Sequence, residues 1–466
     1  MIKYNKIIDF VSKNKLKIIL FILVFLIAFY LRLFPIRISH WWDETVYLQH
    51  AEIFFSGRTN YNEFSFRPPL LSMLFFLVFF IKHHVFSASI LVAFINTLAP
   101  VFIFLIGKKL YNFRAGVIAG LISAFAPFII RNSNYLLTDA SVITLMAISF
   151  YFALFNDKKS MLFLSGIFCS LAVLMKFTAI LLFPILIFYF LINKISIKKI
   201  LLFGVGAALV LTPYFIWMQI SYGNFLIPFI KGPTFVLDKN ESTYFYFFKF
   251  SEAFTKLVVL GLILWLFNLF IQIKKKNWNY IKIDLVLILW TALFLWYITK
   301  TPHKELRYIL PLTVPVILLA SKGFSLFFEH VKKSYKIVLW IIFILYLGFL
   351  VYPRITYINE IGIIDYTVSD EMIVANYILK EMNYTGVIYT NTRWPVLAYY
   401  TGLETIFLYP HNSKFYSEFQ NSMKEPGLLI GMFDYEEPQP LRLKNNPYFT
   451  HVKDIGGFFI YEYKTR

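Results

Sequence analysis

Pro69-Leu70-Leu71-Ser72-Met73-Leu74-Phe75-Phe76-Leu77-Val78-Phe79-Phe80-Ile81 decides the topology of this chain. At about 1.5 Å per residue the run reaches only about 20 Å as a helix. That is short of the roughly 30 Å of hydrocarbon that a spanning helix must cross. Whether it crosses sets the side of every loop after it. Four basic clusters provide the test: Lys108/Lys109/Arg114, Lys158/Lys159, Lys194/Lys198/Lys199 and Lys274/Lys275/Lys276. Cytoplasmic loops carry an excess of Lys and Arg, and the N-terminal tail, with Lys3, Lys6, Lys13, Lys15 and Lys17, starts inside on the same rule. A crossing at Pro69–Ile81 would push all four clusters outward, whereas no crossing leaves all four in the cytoplasm. The run is read as a juxtamembrane helix that does not span.

The rest of the chain is that of a polytopic membrane protein. Hydrophobic residues make up 59% of it and charged residues only 15%, far less charge than a soluble chain carries. The net charge of +19 is spread over short loops between apolar runs. No basic stripe on a soluble face points to nucleic acid. A single cysteine, Cys169, lies in an apolar run and excludes a disulfide framework or a thiolate metal site. The expected spans are about 16–33, 86–107, 115–131, 137–155, 160–175, 177–193, 199–220, 254–273, 282–299, 308–322 and 335–353. The fold class that follows is an α-helical membrane protein of about eleven transmembrane helices plus the juxtamembrane helix, occupying residues 1–353. Residues 354–466 carry more charge and shorter apolar runs. Glu371–Met382 has helical periodicity, while the runs 386–390, 428–432 and 457–461 read as strands. A small α/β domain is expected there, outside the cytoplasm after an odd number of crossings. It has no glycine-rich nucleotide fingerprint. Asn240-Glu241-Ser242 and Asn383-Tyr384-Thr385 are sequons on the same side.

This topology gathers the polar residues at the ends of spans on the outer side. The first is Asp43-Glu44, closing His40-Trp41-Trp42-Asp43-Glu44 after the first span. Ionisable groups at such a boundary serve chemistry or transport, or face water beside indoles that anchor the interface. Then come Arg67, Asp139 after Arg131-Asn132-Ser133-Asn134-Tyr135, Lys176, and Thr301-Pro302-His303-Lys304-Glu305-Leu306-Arg307-Tyr308. Asp139 also fits an N-cap for a helix starting near Ala140, and Lys176 also fits a snorkelling side chain. His83 and His84 read as a surface turn, and His40 and His50 lack a compact ligand spacing.

Carboxylates and cations together suit sugar transfer from a polyprenyl-phosphate carrier. The acceptor hydroxyl must lose a proton as the anomeric carbon is attacked, which an Asp or Glu can take as general base. The departing lipid phosphate gains charge, which Arg, Lys or His stabilises in a low-dielectric site. The ordered set Trp42-Asp43-Glu44, Phe66-Arg67-Pro68-Pro69, Leu137-Thr138-Asp139-Ala140, Met175-Lys176-Phe177-Thr178 and Lys304-Glu305-Leu306-Arg307-Tyr308 resembles the GT-C membrane glycosyltransferases. In particular it resembles the branch of protein O-mannosyltransferases and lipid A aminoarabinose transferases. The resemblance covers roughly residues 16–330. It implies Asp43 as base or acceptor-positioning group, with Glu44 and Asp139 as further acids of the catalytic site. It implies Arg67 on the carrier phosphate, joined by Lys176, His303, Lys304, Arg307 and Tyr308. The implied partners are a polyprenyl- or dolichyl-phosphate-linked sugar, an extracytoplasmic protein, lipid or glycan acceptor, and membrane lipid. The implied location is the plasma membrane with the site outside. A divalent cation, Mg or Mn, stays open as a cofactor, but Phe66 stands where relatives often carry an acidic or histidine ligand. A lipid-carrier flippase or a lipid-linked oligosaccharide ligase are the alternatives.

Overall fold

The computed structural model describes residues 2–57, 62–231, 241–390, 393–408, 423–432, 443–444 and 446–464. Asn240 of the first sequon lies outside the described residues. They form two compact units. The first comprises Met1–Phe34 and Phe54–Glu360; the second comprises Pro35–Ile53 and Ile361–Arg466.

In chain order the helices are α1 (Ile2–Leu33), α2 (Trp42–Phe55), α3 (Leu70–Phe79), α4 (Val85–Leu110), α5 (Phe113–Phe125), α6 (Pro127–Ser133), α7 (Thr138–Ala153), α8 (Lys159–Met175) and α9 (Leu182–Ile192). They continue with α10 (Ile197–Tyr222), α11 (Ile227–Lys231), α12 (Phe245–Phe248), α13 (Phe250–Lys274), α14 (Trp278–Lys300), α15 (Thr313–His330) and α16 (Lys333–Ile361). Every expected span falls on helix. Among the described residues six helical stretches are long and apolar enough to cross a membrane, or seven if the bent pair α5–α6 counts as one. The expectation of eleven therefore exceeds what length and composition support, because the apolar stretches Ile18–Leu33, Thr138–Ala153, Lys159–Met175 and Phe177–Ile192 have 10–17 residues. The run that decides the topology forms α3, a helix of 10 residues, about 15 Å long and too short to span.

Burial varies widely among the long helices. The apolar window of Leu306–His330 is 94% buried, while that of Lys333–Ile361 is 17% buried. The first is the centre of the bundle; the second presents side chains such as Ile341, Leu345 and Phe349 outward. Small residues let neighbours approach closely, as is common where helices pack in lipid. A Cβ on Gly166 of α8 would stand 2.0 Å from the Phe203 carbonyl oxygen of α10, and one on Gly206 2.1 Å from that of Phe163.

The bend between α5 and α6 measures 56°. Pro127 has no N–H and its ring blocks the preceding turn, so carbonyls at the end of α5 lose helical partners. Arg32, fully buried at the end of α1, takes them: Nη1 donates to Ala124 O and Nη2 to Ser123 O, both at 3.0 Å. Asn134 returns the arrangement, donating to Arg32 O at 3.0 Å and Leu33 O at 3.2 Å. The polar run 131–135 is thus partly the cap of α1.

The second unit holds α17 (Asp370–Asn376), α18 (Trp394–Thr401) and strands β1 (Ile36–Arg37), β2 (Ile364–Asp365), β3 (Val387–Thr390), β4 (Thr405–Phe407), β5 (Gly427–Met432), β6 (Phe449–Ile455) and β7 (Phe458–Tyr463). A five-stranded mixed sheet runs β4-β3-β5-β7-β6, with β3 parallel to β4 and β5. β5 pairs antiparallel with β7, and β7 with β6. Strand alternation sends Leu428, Ile430, Phe458 and Ile460 to one core with Val374, Ile378 and Leu397. Leu429, Phe459 and Tyr461 go to the other with Tyr389 and Phe449. The sequence marks β3, β5 and β7; β4 is three residues long and β6 is mostly exposed, so neither carries an apolar signal. The pair β1–β2 is parallel, matching Ile36 with Ile364 and Arg37 with Asp365. Gln49 of α2 donates to Pro395 O at 3.1 Å. The first loop therefore belongs with the C-terminal sheet.

Candidate active site

Within the helical unit, three helix ends bring separated motifs together. Asp139 lies in the first turn of α7, which starts at Thr138 with Leu137 as its cap. Asp139 is therefore not the N-cap, and its carboxylate points elsewhere. Lys176, the residue after α8, pairs with Asp139 Oδ1. Arg307, in the 3-10 turn Leu306–Leu312 that leads into α15, places Nη1 3.7 Å from Asp139 Oδ2. Both cations sit against one aromatic face: Lys176 Nζ is 4.9 Å and Arg307 Cζ 5.8 Å from the Tyr308 ring centroid. Asp139 side-chain exposure is 6%, and that of Arg307 and Lys176 is 11% and 14%. Charges held this dry interact strongly and need partners.

Glu305 joins the cluster. Arg307 Nε donates to its Oε2 at 2.5 Å and Nη2 to Oε1 at 3.1 Å. His303 Nε2 donates to Oε1 at 3.0 Å. Tyr246 of α12 is buried beside it, and its phenol is pushed up by burial first and then by the Glu305 and Asp139 carboxylates. Sequence reasoning quotes Glu305 only as a loop letter and passes over Tyr246. The one signal for Glu305 is its place between Lys304 and Arg307. Lys304 turns away from Arg307 and donates to Glu241 O and Thr301 O, both at 2.9 Å. It stitches the loop rather than joining the cluster. Arg67 is half-buried, 5.8 Å from the Phe66 ring centroid, just before α3. His84 caps α4, its Nδ1 accepting from Phe86 N at 3.0 Å.

Within the second unit, Asp43 and Glu44 occupy the first turn of α2, where the helix dipole favours negative charge. They are placed differently. Glu44 is fully buried, accepts from Trp41 N at 2.8 Å and pairs with Arg37. A Glu at the third helical position reaching back to the cap N–H is half of a capping box. Asp43, one residue earlier, is only partly buried. His40 is packed edge-on to Tyr399 at 6.2 Å, and its backbone N–H donates to the Tyr400 hydroxyl at 2.7 Å. That hydroxyl donates to Ile38 O at 3.3 Å.

Burial pushes the His40 imidazole down to about 4, with the Glu44 carboxylate opposing and Arg37 reinforcing. Unfolding returns it to near 6.5. Between those values the unfolded chain binds a proton that the folded chain does not, so folding weakens as pH falls. The contribution is complete above about pH 6.5 and roughly 2–4 kcal/mol is lost on the way to pH 4. The thermal midpoint of the second unit should drop across this window, and His40→Gln should flatten the drop. A pH-independent midpoint in the wild type would contradict the burial of this ring.

Among the described residues no group of three or more His, Cys, Asp or Glu side chains is placed to hold a metal ion. Phe66 supplies no ligand beside Arg67, and His303 bonds Glu305.

The chain superposes over nearly its whole length on ArnT from Cupriavidus metallidurans in the apo state. The TM-score is 0.69 at 13% identity, covering 97% of this chain and 98% of that one. Against the same protein bound to undecaprenyl phosphate the TM-score is 0.68 at 14% identity, covering 96% and 97%. The fold is that of the GT-C glycosyltransferases. Another GT-C structure, the Archaeoglobus fulgidus oligosaccharyltransferase AglB in complex with an inhibitory peptide and a dolichol-phosphate, matches at TM-score 0.64 and 12% identity, covering 96% of this chain and 74% of that one. In sequence, residues 66–217 match the dolichyl-phosphate-mannose-protein mannosyltransferase family. That stretch holds Arg67, Asp139 and Lys176. Among curated proteins none matches significantly. The chain is thus similar to GT-C glycosyltransferases on the mannosyltransferase and ArnT branch, as the ordered motifs indicate.

Proposed function

We propose that this protein is an integral membrane glycosyltransferase that moves one sugar from a polyprenyl- or dolichyl-phosphate carrier to a protein, lipid or glycan acceptor outside the cytoplasm. The observation that carries the reading is the dry cluster of Lys176 and Arg307 around Asp139, at helix ends of a GT-C fold. The match of residues 66–217 and the lipid phosphates bound by ArnT and AglB support it.

In the proposed reaction the acceptor oxygen attacks the anomeric carbon. The bond from that carbon to the phosphate oxygen breaks, and its electron pair stays on the phosphate. Asp43 takes the acceptor proton as general base, and Glu44 keeps the first turn of α2 in place. Arg67, Lys176 and Arg307 bind the lipid phosphate, whose charge rises as the bond breaks. Asp139 orients two of these cations, Tyr308 backs them with its ring, His303 acts through Glu305, and Lys304 holds the loop. Residues 354–466 serve as the soluble domain that meets the acceptor. The positive-inside reading of the basic loops supports an outward-facing site and domain at the plasma membrane.

The test is transfer by purified protein in lipid, offered a panel of polyprenyl-phosphate sugars with candidate acceptors. The expected products are a singly glycosylated acceptor and free polyprenyl phosphate. The likeness to an oligosaccharyltransferase keeps a second donor class in view: transfer of an intact oligosaccharide would favour a ligase. Movement of the carrier across the bilayer without transfer would replace the enzyme reading with a flippase.

A further inference from the structure

Two of the cations proposed to bind phosphate, Lys176 and Arg307, are held by two carboxylates that are not equivalent. Asp139 is the drier, with 6% exposure, and bridges both Lys176 and Arg307. Glu305 is 28% exposed and grips Arg307. Its grip is a two-point fork, with Nε on Oε2 and Nη2 on Oε1. That is the geometry in which a guanidinium also receives two phosphate oxygens. A phosphate claiming the same two N–H groups must displace the carboxylate. Glu305 has somewhere to go: Oε1 already accepts from His303 Nε2 at 3.0 Å.

We propose that Glu305 is an internal competitor of the lipid phosphate on Arg307, a positioning residue that yields the fork to the donor and retakes it from the product. This rests on the reading of Arg307 as a phosphate ligand. The charges explain the use. The donor is a phosphodiester with one negative charge, so its arrival exchanges one monoanion for another on Arg307. The released carrier is a phosphate monoester with charge near −2, and it binds the same cations more tightly than the donor. A carboxylate on the guanidinium, able to return from His303, lowers the net affinity for that product. Asp139, fixed by two cations, cannot play this part and acts as the buttress.

The experiment compares equilibrium binding of undecaprenyl phosphate to the wild type, Glu305→Gln, Glu305→Asp and Asp139→Asn, all full-length in nanodiscs. Glu305→Gln removes a charge-assisted competitor, so binding should tighten about tenfold. With a donor sugar lipid, KM and kcat should fall together, because product leaves more slowly. Glu305→Asp keeps the charge but shortens the reach, and should shift affinity in the same direction by less. It preserves the test if the Gln variant does not fold. Asp139→Asn should weaken binding. If Glu305→Gln weakens binding or leaves it unchanged, Glu305 is a simple buttress of Arg307 and the proposal is wrong while the phosphate reading stands. If the wild type binds no undecaprenyl phosphate at all, the phosphate reading fails and takes this proposal with it.

Discussion

Asp43→Asn is expected to lower sugar transfer about 10²–10⁴-fold, the range a positioned general base contributes, while binding of undecaprenyl phosphate stays within about twofold of wild type. The substitution preserves volume and one carbonyl acceptor and removes the carboxylate, with its charge and its ability to take a proton. The first turn of α2 gives its other acid a structural part, because Glu44 bonds the Trp41 N–H and the Arg37 guanidinium. Glu44→Gln should behave differently. It removes the charge of a buried carboxylate paired with Arg37 and leaves the N–H acceptor in place, so the thermal midpoint should fall along with activity. A pH–rate profile separates the two: the acidic limb should vanish in Asp43→Asn and persist in the folded fraction of Glu44→Gln. Undiminished transfer by Asp43→Asn would remove it from the mechanism and turn attention to the other acids.

The sequence is most legible where a physical rule acts over many residues. Hydropathy locates each helix of the bundle, and the shortness of the Pro69–Ile81 run foretells the 10-residue α3. Crossing count is less legible. A kink such as that at Pro127 divides one apolar run into two helices, while α7 and α8 are shorter than the bilayer. In the site, Asp139, Lys176 and Arg307 are legible because charge at the end of an apolar run is costly unless used. Glu305 escapes because an acid between two bases reads as a solvated loop; only the fold shows it forked on Arg307. The pairing of β1 with β2 joins segments more than 320 residues apart through two residues each, and no local pattern announces it. The same holds for Arg37 with Glu44, where the loop must fold before the charges meet.

Asp284 and Lys322 are the clearest case of chemistry hidden from sequence, and breaking them should have the largest effect on stability. They lie 38 residues apart on α14 and α15, buried to 1% and 3% exposure. Lys322 Nζ reaches both carboxylate oxygens, at 2.9 and 2.8 Å. Trp265 Nε1 of α13 donates to Oδ2 at 3.0 Å, and the Tyr111 hydroxyl after α4 donates to Oδ1 at 3.4 Å. The ammonium also stands 4.0 Å from the Tyr280 ring centroid. Four elements thus meet on one ion pair. Burying two charges costs several kcal/mol each, and their attraction recovers that only while both are present. Asp284→Leu leaves an ammonium with ring faces alone, and should destabilise the bundle by about 3–5 kcal/mol. Lys322→Met leaves a carboxylate that still has the Trp265 and Tyr111 donors, so it should cost less. The double variant Asp284→Leu/Lys322→Met removes both charges and should recover most of the loss. Thermal unfolding in nanodiscs, followed by tryptophan fluorescence, ranks the four proteins. Single variants within about 0.5 kcal/mol of wild type would mean that water reaches the pair. A double variant no better than Asp284→Leu would mean that the pair fixes how the four elements register, beyond offsetting its own burial.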